Sequence, residues 1–277
     1  MLYVALVSVI AFLIFQIVDL PDMPIAIPAF LGTAISLVLG FKLSHSYDRW
    51  WEARKVWGAI VNDSRTLVIQ IRNFTSSESA FSTVQAMANR QIAWCYSLGQ
   101  SLRKLDPLEN VKRNVSSQEW EYLQKHNNVP LGLINKQAED LAYLLNSKEI
   151  NEYQQVHIDK TLVRLVDSLG RAERIKNTVF PTTYRIFLHF FIYIFVVMLA
   201  VSMADSVGWW EIPRLLLITL PFFLLEKTAY YLQDPFENRS TDTPVTAIAQ
   251  TIETNINQLM DSKELPTFEE VSEYYVM

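Results

Sequence analysis

Residues Phe30 to Leu43 read FLGTAISLVLGFKL, and two helical stripes run through them at once. Gly32, Ser36 and Gly40 recur every fourth residue and make a flat seam against which another helix can pack closely. One step around the helix, Thr33, Leu37 and Phe41 recur at the same interval. Positions four apart share a helix face, so each set forms its own stripe. No charge interrupts the stretch before Lys42, so it reads as lipid-embedded. A tight face beside a bulkier one suits a ring of identical helices about an axis. An ordinary packed membrane helix shows the same spacing, and spacing alone leaves both readings open.

The stretch belongs to the second of four apolar segments, Ile25 to Phe41. The first runs from Leu2 to Val18, with Gln16 the one strongly polar interruption. The third runs from Ile186 to Ala204 and contains His189, and the fourth from about Trp209 to Leu225, with Glu211 and Arg214 near its start. A spanning helix needs about 20 mostly apolar residues. The first three meet that length, and the fourth pairs with the third. The first segment reads as a span and not as a secretory signal, since it has no basic lead-in and no small-x-small cleavage site before Pro21. It starts abruptly within the apolar run, which suggests a shortened N-terminus.

Charge sets the expected topology. The loop DLPDMP, Asp19 to Pro24, and the loop DSVGWWE, Asp205 to Glu211, carry acids and no Lys or Arg. Every Lys and Arg except Arg214 lies between Lys42 and Arg185 or from Lys227 onward. Positive residues stay on the cytoplasmic side. The two short loops are therefore expected outside, with the long middle, the tail and both termini in the cytoplasm, and with Trp209 and Trp210 at the outer interface. The expected plan is all-α: a four-span membrane bundle continuous with a cytoplasmic helical bundle. Residues 1–43 carry spans 1 and 2, with the pore-lining helix at about 28–43. Residues 44–185 form the cytoplasmic domain, 186–230 carry spans 3 and 4, and 231–277 form a cytoplasmic segment with an amphipathic helix.

Composition excludes several classes. The chain has 277 residues, a formal net charge of −5 and 50% hydrophobic residues, concentrated toward both ends. Its mild acidity and lack of basic-aromatic interleaving argue against nucleic acid. The single Cys95 excludes an internal disulfide framework and a Cys-rich metal site. Seven glycines leave little for phosphate loops, and no GxGxxG, Walker, HExxH or GxSxG pattern occurs. His45, His126, His157 and His189 do not pair at metal-ligand spacing. No cofactor or metal is expected. His189 is a functional candidate because polar residues inside an apolar span are often functional, and a hydrogen bond to a neighbouring helix accounts for it equally well.

The middle is helical in pattern. Val84, Ala88, Ile92, Cys95, Leu98 and Leu102 repeat at three and four, as do Leu141, Leu144 and Leu145, and then Val156, Leu162, Val163, Val166 and Leu169. In the tail Ile248, Ile252, Ile256 and Leu259 share one face, with Asp242 or Thr243 expected to cap and Pro244 in the first turn.

Ser44 to Arg65, SHSYDRWWEARKVWGAIVNDSR, continues from the second span with no Pro, and no Gly before Gly58. One long helix is expected to leave the membrane and run into the cytoplasm. Tyr47, Trp50 and Trp51 would lie at headgroup level, with Arg49, Arg54 and Lys55 at the inner surface.

These residues carry a resemblance to the bestrophin family, including its bacterial members. Gly40-Phe41 is followed by RWWEAR-x-x-WG from Arg49 to Gly58. ERI-x-NT runs from Glu173 to Thr178 with Pro181 beyond, and DPF-x-x-x-x-x-D-x-P runs from Asp234 to Pro244. The three blocks stand in family order across nearly the whole chain. The resemblance implies a homopentameric, multi-pass ion channel in the cell membrane, with one second-span helix per subunit lining a hydrophobic neck. Its partners are further copies, membrane lipid and inorganic ions. It places the neck at Thr33, Leu37 and Phe41, with Thr33 where the family usually has an aliphatic residue, so the outer ring is expected to be wetter. It also implies a second, cytoplasmic aperture near Gln154 or Val156. Arg49 is an electrostatic candidate below the neck, set against a salt bridge or headgroup contact. The calcium clasp of eukaryotic relatives corresponds to EKTAYYLQDPFENRSTD, where Glu226, Asp234, Glu237 and Asp242 are scattered. No calcium gating is expected, and Asp234 and Asp242 are assigned to capping and turns around Pro235 and Pro244.

The leading expectation is a passive channel for a small monovalent anion such as chloride. The alternatives are the same architecture passing sodium, favoured by Asp19, Asp22 and Asp205, and a non-conducting scaffold. A membrane-anchored enzyme would need convergent catalytic groups, and none stands at usable spacing.

Overall fold

The computed structural model describes residues 6, 9–10, 13–14, 23–75, 77–178, 181–203 and 210–262, and among them every regular element is helical. The expected first span, apart from residues 6, 9–10 and 13–14, lies outside the described residues, as do Asp19, Asp22, Asp205 and Trp209. The helices are α1 (Ala26–Phe74), α2 (Phe81–Leu102), α3 (Ser117–Leu123), α4 (Val129–Asn146), α5 (Glu152–Asn177), α6 (Thr182–Met203), α7 (Glu211–Gln233) and α8 (Val245–Leu259). By length and composition α1, α6 and α7 can cross a membrane.

The chain forms two compact units. One comprises Met1–Arg49 and Val179–Gln233, the other Trp50–Thr178 and Asp234–Met277. Helix α1 contributes to both. Its 49 residues run unbroken through Gly58: Pro28 falls in the first turn, where a missing N–H costs nothing, and no Pro follows it in the helix.

In the first unit Ile35 and Leu39 of α1 meet Leu188, Ile192, Phe195, Leu199 and Met203 of α6 and Leu215 of α7. Helix α6 begins four residues before the expected span, and α7 runs eight residues beyond the expected end, to Gln233. Pro221 lies inside α7 without ending it. Apolar surroundings tolerate this, because the chain's alternatives to helix there expose more backbone.

The second unit has its own core. Helix α2 packs on α4 and α8, and α4 on α5. The whole α2 stripe, Val84 to Leu102, is buried with Trp57, Ile60, Leu67 and Ile71 of α1. Arg90 is buried on the same helix. It donates to Glu119 Oε1 (2.7 Å from Nε) and Gln137 Oε1 (3.0 Å), and pairs with Asp140 at 2.8 Å, so one guanidinium ties α2 to α3 and α4. Local capping defines the helix starts: Ser116 with Glu119 at α3, Asn128 at α4, and Asn151 with Gln154 at α5.

Two local expectations change. The buried face of α5 is Ile158, Leu162, Leu165, Leu169, Ala172 and Ile175, whereas Val156, Val163 and Val166 are exposed. Helix α8 starts with Pro244 at its N-cap and no side-chain cap. Asp242 is already engaged: its Oδ2 accepts the backbone N–H groups of Glu237 (2.8 Å) and Arg239 (3.0 Å). It closes the turn after Pro235 and does not cap the helix.

Candidate functional site: the exposed face of α1

Along residues 26–49 of α1 the core-facing side chains alternate with a continuous free face. Ile35, Leu39, Lys42 and Ser46 are buried. Thr33 is exposed, Leu37 keeps 63% of its surface and Phe41 58%. The three expected neck residues thus share one outward face, which none of the described helices covers. An exposed run of large apolar side chains marks a surface that meets something other than water. The Thr33 hydroxyl donates to the Ala29 carbonyl at 2.9 Å, so its proton is committed to its own helix.

The small-residue seam divides in use. Gly32 lies under Phe195 of α6, where an added Cβ would meet ring carbon Cε2 at 2.9 Å. Ser36 donates to the Gly32 carbonyl at 2.8 Å. Around Gly40 a Cβ would find no described residue within 4 Å.

Arg49, the last residue of this unit's share of α1, donates through Nε to the carbonyl of Gln233, the last residue of α7, at 2.9 Å. A cation at a helix C-terminus is favoured by the free carbonyls and the helix dipole. Gln154 and Val156 stand in the first turns of α5, in the other unit. The Gln154 side chain serves the capping box, accepting from the Asn151 N–H at 2.9 Å. Val156 is exposed, and Tyr153 beside it is 84% exposed.

One arrangement escaped sequence reading. Lys42 Nζ lies 2.9 Å from Glu226 Oε1, with the lysine side chain 1% exposed. The other Glu226 oxygen is 3.4 Å from His189 Nε2. The acid counted among the scattered carboxylates of the post-span segment therefore belongs to the first unit, joined to a residue 184 positions away. His189 does face a neighbouring helix, as one expectation had it.

The motif blocks also converge. In the second unit Trp50 Nε1 donates to the Thr241 carbonyl at 2.8 Å. Lys176 Nζ reaches Asp234 Oδ2 at 2.8 Å, and Asp234 Oδ1 accepts the Phe236 N–H at 3.1 Å. Phe236 and Trp57 are fully buried. Farther along, Arg65 holds Asn255 and Arg72 holds the Leu259 carbonyl and Asp261, so α8 follows α1 in parallel.

Comparison with known proteins agrees with these motifs. A family model described as bacterial/fungal bestrophin protein matches residues 1–258. A voltage-dependent anion channel-forming protein of Nostoc sp. is 30% identical over 258 residues, covering 92% of this chain and 84% of that protein. One from Escherichia coli is 29% identical over 236 residues, covering 85% and 77%. A crystal structure of a bacterial bestrophin homologue from Klebsiella pneumoniae superposes with a TM-score of 0.87 at 26% identity, covering 95% of this chain and 98% of that one.

Proposed function

The chain belongs to the bacterial/fungal bestrophin family, and on that premise we propose that it forms a homopentameric channel passing small monovalent anions, chloride among them. The relatives' names as anion channel-forming proteins support the ion class. The observation that carries the reading is the outward face of Thr33, Leu37 and Phe41, left bare by the described helices.

Copies of that face around a common axis make an apolar neck. Apolar side chains cannot replace an ion's hydration shell, so the neck gates by wetting and drying. The ring edges of Phe41 offer positive partial charge to a passing anion. Arg49 adds positive potential below while holding the end of α7. The residues near the start of α5, Gln154 and Val156, form the cytoplasmic aperture. The protein sits in the bacterial inner membrane with both termini in the cytoplasm. Passage is passive and draws on no cofactor.

Reversal potential in planar bilayers under asymmetric potassium chloride tests this. The expected potential lies toward the chloride equilibrium value. A potential toward the potassium value makes the channel cation-selective, and no flux from purified protein in liposomes makes it a scaffold; either result contradicts the proposal.

A further inference from the structure

Phe41 and Lys42 are adjacent on α1 and point apart. Phe41 is on the exposed face, and Lys42 is buried against Glu226 of α7. Glu226 also faces His189 of α6, so one carboxylate joins three helices of the same unit. Ionisable groups within apolar spans are costly to bury and mark functional positions.

The geometry around His189 is asymmetric. Its Nδ1 lies 3.0 Å from the Arg185 carbonyl one turn earlier. A carbonyl only accepts, so Nδ1 carries the proton of the neutral ring. The neutral ring then turns a lone pair of Nε2 toward the Glu226 carboxylate, whereas the charged ring turns an N–H toward it. Histidine is the side chain whose charge ordinarily changes between about pH 5 and 8. Facing it from α7 is Glu226, and from α1, through that carboxylate, Lys42. On its own helix Tyr193 stacks at 6.3 Å between centroids, and Arg185 lies over the Tyr230 ring of α7 at 5.9 Å.

We propose that Glu226 is a positioning residue for conduction: through Lys42 it sets the pose of the Phe41 face, and protonated His189 tightens this joint. With His189 neutral, the carboxylate serves Lys42 alone. With His189 charged, the carboxylate clamps α1, α6 and α7 together, and the neck resists the widening that wetting requires. This rests on the neck reading above.

The test is chloride efflux from potassium chloride-loaded liposomes holding the full chain, at about pH 8 and about pH 5.5. Wild-type efflux is expected to fall several-fold on acidification. His189→Gln and Glu226→Gln are expected to flatten the profile, and Lys42→Arg, which keeps the ion pair, to retain it. Because Glu226→Gln leaves a buried lysine unpaired, the doubly neutral Lys42→Met, Glu226→Met protein is the second variant, again with a flat profile. Phe41→Ala is expected to raise efflux at both pH values. If Phe41→Ala raises efflux while His189→Gln keeps the wild-type profile, the positioning role is overturned and the neck stands. Equal wild-type efflux at both pH values also overturns it. If Phe41→Ala changes nothing, the neck fails, and the positioning role with it.

Discussion

Tyr96 donates its hydroxyl to Glu253 Oε2 at 2.6 Å, joining the middle of α2 to α8. Arg113 completes the contact, 2.9 Å from the same oxygen and 5.0 Å above the tyrosine ring. Burial, and then the bond to the Glu253 carboxylate, push the Tyr96 phenol above its ordinary range. Below about pH 10 both folded and unfolded chains keep this proton. Above it the unfolded chain releases the proton first, so the stability contributed by Tyr96 is lost as pH rises. Tyr96→Phe should lower stability at neutral pH by about 1.5–3 kcal/mol, the range for a bond to a charged group. Its decline above about pH 10 should be shallower than that of wild type. Thermal midpoints in detergent across an alkaline series check both.

Cys95 is fully buried between Ser64 and Gln91, and burial pushes its thiol up to about 12. The thiolate is the reactive form. The native protein should therefore resist a maleimide at pH 7 to 8 and label fully once unfolded. Mass spectrometry of intact protein reads the difference.

Arg90 is held by Glu119 of α3 and by Gln137, Asp140 and the Lys136 carbonyl of α4, and Gln137 in turn donates to the Met87 carbonyl at 2.8 Å. Arg90→Met leaves Glu119 and Asp140 without their shared cation. Breaking a buried pair costs about 3–5 kcal/mol; the partial exposure of both acids places the expected loss near the lower end, about 3 kcal/mol. Denaturant midpoints of the detergent-solubilised protein test it.

Gly32 and Gly40 look equivalent in sequence and should respond differently to leucine. At Gly32 the new side chain collides with Phe195, and overpacking of this kind costs about 1–3 kcal/mol. At Gly40 the surrounding space is open among the described residues. Gly40→Leu should keep helicity by circular dichroism and shift the assembly to smaller species by light scattering, since in the proposed ring that space faces another copy. Gly32→Leu should lower the thermal midpoint.

The long-range architecture was legible where one physical signal dominated. The uninterrupted run from Ala26 past Gly58 announced α1, and the three-four repeat from Val84 to Leu102 announced a buried α2, because few residues there disturb the period. Helix α5 was phased wrongly at Val156, Val163 and Val166, since valines and leucines occupy adjacent faces and the period does not say which face has a neighbour. The α8 cap was misplaced because Asp242 has two competing donors in the preceding turn, a matter of tertiary geometry. The Lys42–Glu226 joint was invisible for a further reason: nothing local marks which of several acids meets a lysine 184 positions earlier. The exposed stripe at Thr33, Leu37 and Phe41 was legible in both spacing and motif, and the two agreed on the same face.

That face is most directly tested by single-channel recording in symmetric potassium chloride, comparing wild type with Leu37→Ala and Phe41→Ala. Removing the apolar bulk should let the neck wet more readily and raise the current several-fold in each variant. Currents indistinguishable from wild type in both variants would contradict the assignment.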